Sequence, residues 1–303
     1  MPMHAEHDRA PTQPAGGPRL TVWLALSACL VAGCAATGAP TSTSDSQLTR
    51  IVDELSRVLP GRYSRVQDRD SAPSPGELVV STEQLEDSDG LLALLTQQTS
   101  EGTRRFLVEI DGQLGPDRLG GTFAPVDASG HSRQRCAMTF HLRTGGLVGR
   151  TDPDQCRFGS EESQTALLKE VAFDGRRIVV GDRVIRVADG ELAVPQQIAA
   201  FYRSRQFQGR AALREGGSWR QAAPFALDTT AVRITPRDAA AMSLGIELEL
   251  AFYRTNEAPG HDILLRLSAF DGDTGELVGR AWSAADSVYI GITLPRLQVV
   301  LRH

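Results

Sequence analysis

The chain has 303 residues, 23% of them charged, with a formal net charge of −5. That length can bury one large core or two ordinary ones. The mildly acidic balance argues against nucleic acid or an anionic membrane surface as the partner. Lysine occurs once, at Lys169, and arginine doublets occur only at Arg104-Arg105 and Arg176-Arg177, so no basic patch is legible.

The first informative segment is an apolar stretch over residues 20–33, with Arg9 and Arg19 on its N-terminal side, closing in Leu30-Val31-Ala32-Gly33-Cys34. A positive flank, a short apolar run and small residues before a cut are the layout of a secretory signal. The run is shorter than the about 20 residues a membrane-spanning helix needs. The small residues before Cys34 resemble the lipobox of bacterial lipoproteins. That resemblance implies a signal peptide over residues 1–33, lipid attachment at Cys34 and a membrane contact through the lipid. Ala35 stands where aspartate would retain such a protein at the inner membrane, which implies an outer-membrane lipoprotein facing the periplasm. The other reading is an ordinary secretory peptide cut near Ala35-Ala36. Residues 34–47 are small and polar and read as a flexible tether.

Leu48, Ile51, Val52, Leu55 and Leu59 recur at spacings of three and four, which predicts a helix that ends at Pro60-Gly61. Residues 68–76 read as a loop. Leu85, Leu91, Leu92, Leu94 and Leu95 suggest a second helix over 82–99. The pattern then changes to alternation. Phe106, Val108 and Ile110 share one face of a strand that Asp111-Gly112 would turn. Cys136, Met138, Phe140 and Leu142 alternate with polar residues in a half-buried strand. Short strands follow over 147–151, 166–173, 177–180 and 184–187, with hairpin turns at Asp174-Gly175, Gly181-Asp182 and Asp189-Gly190. Many short strands joined by tight turns predict an antiparallel barrel or sandwich.

Pro195 opens a second region. Residues 207–213, 226–234, 246–254, 263–270, 276–282, 288–293 and 297–301 all read as strands. Asp271-Gly272-Asp273-Thr274-Gly275 is a hairpin turn and not a calcium loop, because Trp282 stands where the twelfth-position glutamate would be needed. The expected fold is mainly β: a lipocalin-like antiparallel barrel with an N-terminal helix over 48–192, then a sandwich-like all-β domain over 195–303.

Cys29 leaves with the signal and Cys34 is the anchor, so Cys136 and Cys156 remain. Two cysteines in an exported chain read as one disulfide. The rival reading, a metal or thiol-nucleophile pair, has against it a long spacing and no finger pattern with His131 and His141, and no metal is expected. Ala241-Met242-Ser243-Leu244-Gly245 faintly suggests a nucleophile elbow, but its surroundings are β throughout. His261-Asp262 follows Pro259-Gly260 and reads as a loop.

One segment is distinctive: Arg135-Cys136-Ala137-Met138-Thr139-Phe140, then Gly146-Leu147-Val148-Gly149-Arg150-Thr151, then Cys156-Arg157-Phe158, then Lys169-Glu170-Val171. This succession resembles the CpcT/CpeT family of phycobiliprotein chromophore lyases, and Leu59-Pro60-Gly61-Arg62-Tyr63-Ser64 is similar to that family's start. The resemblance spans residues 48–190. It implies a lipocalin-like barrel with a cavity for a bilin or other tetrapyrrole, walled by Met138 and Phe140, with Tyr63 at its mouth and Arg105 as the polar candidates. An arginine suits a propionate because its planar fork pairs bidentately with carboxylates. Where the family carries Trp-Asp-Arg-Gly, this chain has Arg177-Ile178-Val179-Val180-Gly181-Asp182-Arg183. The fold is therefore carried over, no residue is assigned a catalytic role, and no cofactor is required. The expected function is a lipid-anchored barrel that binds a hydrophobic small molecule. The alternatives are a true lyase-type enzyme that still attaches or releases a bilin-like chromophore, and a non-catalytic envelope scaffold whose C-terminal region meets another envelope protein.

Overall fold

The computed structural model describes residues 43–69, 73–85, 90–99, 102–132, 134–160, 163–255 and 263–303. The leader, Cys34, most of the tether and the His261-Asp262 pair lie outside the described residues.

The predicted stripe forms α1 (Thr43–Val58). Eleven strands follow: β1 (Gly61–Asp68), β2 (Glu77–Gln84), β3 (Leu91–Thr99), β4 (Gly102–Gly115), β5 (Arg118–Val126), β6 (Cys136–Arg143), β7 (Gly146–Thr151), β8 (Arg157–Phe158), β9 (Thr165–Phe173), β10 (Arg177–Arg186) and β11 (Gln197–Arg203). All except β8 pair in the order β1-β2-β3-β4-β5-β6-β7-β9-β10-β11. The return pairing of β11 with β1, through Tyr63↔Arg203 and Arg65↔Phe201, closes a ten-stranded antiparallel barrel. Closure removes the sheet edges that an open sheet would leave unpaired. The strand that completes it lies beyond Pro195.

The interior follows from period-two alternation. Cys136, Met138 and Phe140 point in from β6, Leu91, Ala93 and Leu95 from β3, and Phe106, Val108 and Ile110 from β4, all into one buried core. Leu48, Val52 and Leu55 of α1 join that core, so the helix covers one end of the barrel. Its C-terminus is held by Arg203, whose guanidinium donates to the carbonyls of Val58 and Pro60 and to the Tyr63 hydroxyl. A cation there complements the unpaired carbonyls and the negative end of the helix dipole. Gly61, at φ +145°, lets the chain turn from helix into β1 beneath that side chain; a Cβ would lie 2.9 Å from Arg203 Nη1.

The remaining strands are β12 (Gln206–Glu215), β13 (Ser218–Gln221), β14 (Phe225–Asp228), β15 (Ile246–Arg254), β16 (Ile263–Asp271), β17 (Leu277–Ala284), β18 (Tyr289–Thr293) and β19 (Leu297–Arg302). The sheet β15-β16-β17 continues from the barrel itself, because Val66–Asp68 of β1 pair in parallel with Phe252–Arg254 of β15. A five-stranded sheet of β12, β13, β14, β18 and β19 shares a second apolar core with it, to which Phe207, Leu248, Leu265 and Val299 belong. Val66 and Ala200, on the outer face of the barrel wall, belong to this second core. Ser64 is hydrogen-bonded to Ser204 and Thr229 at 2.8 Å each where the two parts meet.

Three expectations are corrected. Residues 82–84 and 91–99 belong to the antiparallel strands β2 and β3, not to a helix, and Leu85 N–H donates to Gly90 C=O. Leu91, Leu92, Leu94 and Leu95 suit either period, and cross-strand pairing with β4 selects the extended form. Gly181-Asp182 does not turn: β10 runs through it because β9 and β11 both pair there. Asp111-Gly112 is absorbed as an irregularity in β4, and the turn comes at Pro116-Asp117.

Cys136 and Cys156 are joined, 20 residues apart in sequence. The bond ties the start of β6 to the segment just before β8. Constraining an unfolded loop of that length stabilises the fold by about 3 kcal/mol in the chain-entropy model. Reduction should lower the thermal midpoint by several degrees, read by melting with and without dithiothreitol, and an unchanged midpoint would contradict this.

Candidate functional site

Along the barrel axis the inward-facing residues change character. The half beneath α1 is apolar and nearly full. A cavity of about 40 Å³ remains, lined by Leu55, Leu59, Phe140 and Ile178 among others. Phe140 packs against two glycines: a Cβ on Gly149, its partner on β7, or on Gly121, diagonal to it on β5, would come within 2.5 and 3.0 Å of its ring.

Beyond Leu95 and Phe106 the same inward positions become polar. Gln97 and Thr99 continue β3, Arg104 precedes Phe106 on β4, and Asp182 follows Val180 on β10. With Arg65 of β1 and Gln197 of β11 they line a pocket of about 320 Å³. Arg104 Nη1 donates to Gln197 Oε1 at 2.9 Å. Among the described residues the Arg65 guanidinium has no hydrogen-bond or ion-pair partner; its stem lies against Gly76, where a Cβ would come within 3.1 Å of Arg65 Cδ.

Between the apolar half and the pocket sits Lys169, the chain's sole lysine, 4% exposed. Its amine is 2.7 Å from Asp182 Oδ1 and lies over the rings of Phe106 and Phe123, 4.3 and 5.4 Å from their centroids. Burial pushes the Lys169 amine below its ordinary value, and the Asp182 carboxylate pulls it back up. The aromatic faces supply part of the lost hydration.

The residues singled out from sequence do not converge. Met138 and Phe140 are core residues, 2% and 1% exposed, in the apolar half. Tyr63 is fully buried near the C-terminus of α1, donating its hydroxyl to Leu59 C=O at 2.7 Å. Burial raises its pKa, with Arg203 opposing. Arg105 is exposed on the face of β4 opposite Phe106; its neighbour Arg104 is the one that faces in. Sequence reasoning missed Arg65, Gln97, Arg104, Lys169, Asp182 and Gln197. The solitary lysine, at the centre of an otherwise apolar-in strand, was the available signal.

A second polar cluster lies on β15 and β16, joined by Arg233 from the loop before β15. Glu249 is within ion-pair distance of both Arg233 and Arg266, at 3.6 and 3.3 Å. Arg266 also donates to the Tyr253 hydroxyl. Burial pushes the Tyr253 phenol up to about 12, against the lowering effect of Arg266. Ser243 sits in an irregular loop between β14 and β15, its hydroxyl accepting from Gly245 N–H at 3.0 Å. Asp271 Oδ1 accepts from the N–H groups of Asp273 and Thr274, which organises a hairpin turn. Among the described residues no group of three or more His, Cys, Asp or Glu could hold a metal ion, and no helix is long and apolar enough to cross a membrane.

Fold and site together define a closed ten-stranded antiparallel β-barrel with one end stoppered by a helix and a polar pocket toward the other. No protein-family model matches the chain, and no curated protein matches it.

Proposed function

We propose that this chain is an exported, lipid-anchored binding protein whose barrel takes a small molecule at its polar end, without covalent chemistry. The observation that carries this reading is the 320 Å³ pocket. Ligand sites span about 300–1,000 Å³ and combine a shaped wall with a few convergent polar groups. The apolar half offers about 40 Å³, so a ligand that enters the barrel is received by the polar layer first. An anchor at Cys34 with a short tether would hold this barrel at the outer membrane, facing the periplasm. The succession of residues over 135–171 supports kinship with the chromophore-lyase barrels, and through it a tetrapyrrole as the first ligand to try.

The test uses full-length protein in mild detergent. Biliverdin and haem are titrated by absorbance, with Gln97→Trp as a variant that fills the pocket. Saturable binding, weakened at least tenfold by that substitution, is the expected result. An absence of saturable binding to either compound would remove this reading in favour of an envelope scaffold, and so would binding that Gln97→Trp leaves unchanged.

A further inference from the structure

The polar pocket carries an asymmetry of charge. Among the described residues that line it, Arg65 and Arg104 are cationic and Asp182 alone is anionic. The Asp182 carboxylate is already engaged from inside the barrel by Lys169, at 2.7 Å. A wall carboxylate would ordinarily compete with an incoming anion for the arginines. Here it is neutralised by a buried lysine that the aromatic rings of Phe106 and Phe123 hold in place. Gln97, Gln197 and Thr99 add amide and hydroxyl groups to the same wall, and Arg104 is oriented by its bond to Gln197.

We propose that this pocket is an anion site: Arg65 and Arg104 receive the carboxylate or phosphate head of the ligand, and the Lys169–Asp182 pair keeps the wall from repelling it. The inference rests on the binding function proposed above and specifies the ligand's chemical class. A guanidinium presents a planar fork of N–H donors that suits both kinds of anion and remains charged at any working pH. Two arginines from strands on different parts of the wall favour a head with two negative charges over a monoanion. Because the pocket opens to water, the attraction is screened by salt.

The probes are inorganic phosphate, succinate and, as a neutral control of similar size to succinate, 1,4-butanediol. Each is titrated calorimetrically into the full-length protein, and each is tested as a competitor of bound biliverdin. Either anion should bind saturably, lose at least tenfold in affinity in Arg65→Gln and in Arg104→Gln, and weaken as salt rises, while the diol does not bind. Arg105→Gln, on the outer face of the same strand, should bind as the parent does. Succinate alone competing would identify a carboxylate head; phosphate alone would identify a phosphate head. If biliverdin or haem binds and Gln97→Trp abolishes it, yet neither anion competes and the two arginine variants bind as the parent does, the anion assignment falls and the binding function stands. If no probe of any kind binds, both fall together. Circular dichroism of each variant guards against loss of fold as the cause.

Discussion

Phe140→Ala should lower the unfolding free energy by about 3–5 kcal/mol, at the upper end for an aromatic truncation. The side chain is 1% exposed and sits at the centre of the apolar half of the barrel. The cost of such a truncation depends on how well the surroundings collapse into the space. Here they collapse poorly. Its direct partner on β7 is Gly149, and Gly121 lies diagonally across on β5; neither has a side chain to move inward, which leaves Leu119, its direct partner on β5, as the paired neighbour that could. The void would also merge with the existing 40 Å³ cavity that Phe140 lines. Urea denaturation of the oxidised protein reads the effect, and a loss below about 1 kcal/mol would mean that the barrel relaxes around the gap. A companion measurement tests the geometry. Gly149→Ala places a Cβ 2.5 Å from the Phe140 ring and should destabilise by itself. In the Phe140→Ala background that clash is gone, so the two substitutions should cost less together than the sum of their separate effects.

The second large effect concerns Lys169 and Asp182, and it is asymmetric. Removing one member of a buried ion pair costs about 3–5 kcal/mol when the partner is left charged and dry. Lys169 is the dry member: its side chain is 5% exposed, against 30% for Asp182. Asp182→Asn therefore leaves an ammonium group among the Phe106 and Phe123 rings and should approach that full cost. Lys169→Met leaves a carboxylate that faces the pocket and can take water, and it keeps an apolar stem on the rings, so it should cost under about 1 kcal/mol. The double variant should be close to the parent. Denaturant melts of the three variants decide the matter, and equal losses from the two single changes would show that the pair is not dry on one side.

The same pair predicts a pH dependence. Folding lowers the Lys169 pKa below the 10.5 of the unfolded chain, so between those two values the unfolded state binds more protons. Stability attributable to Lys169 therefore rises with pH across that window, and the full penalty of burying the charged amine is present below it. The difference in stability between parent and Lys169→Met should shift in favour of the parent as the pH climbs toward 10.5. Asp182→Asn removes the partner that pulls the amine back up. It should extend the window to lower pH and recover stability earlier in an alkaline titration.

Local pattern carried much of the fold. The stripe through Leu48, Val52 and Leu55 made α1, the alternation through Cys136, Met138 and Phe140 made β6, and Asp174-Gly175 made the hairpin between β9 and β10. Counting the cysteines named the 136–156 bond. Each of these depends on residues within one or two turns of chain or, for the cross-link, on setting Cys29 and Cys34 aside as residues of the expected leader and anchor. The leucines of 82–99 could not be resolved in that way, since their spacing satisfies two periods and only a neighbouring strand distinguishes them.

What belongs to the sequence by itself is therefore the helix, the cross-link and the strands with clean alternation, such as β6, with their apolar faces, whereas β1, β2, β3, β5 and β11 carry no such local signal. What belongs to the tertiary structure is closure and facing. That β11 returns to β1, and that β1 then passes its last residues to β15, is decided by pairings of segments more than 100 residues apart, which no local signal encodes. Whether Arg104 or Arg105 enters the barrel is a difference of one residue in register, and one residue reverses the face of every side chain in a strand. The pocket exists only because those registers bring Arg65, Gln97, Arg104, Asp182 and Gln197, from five strands, to one end of a closed wall.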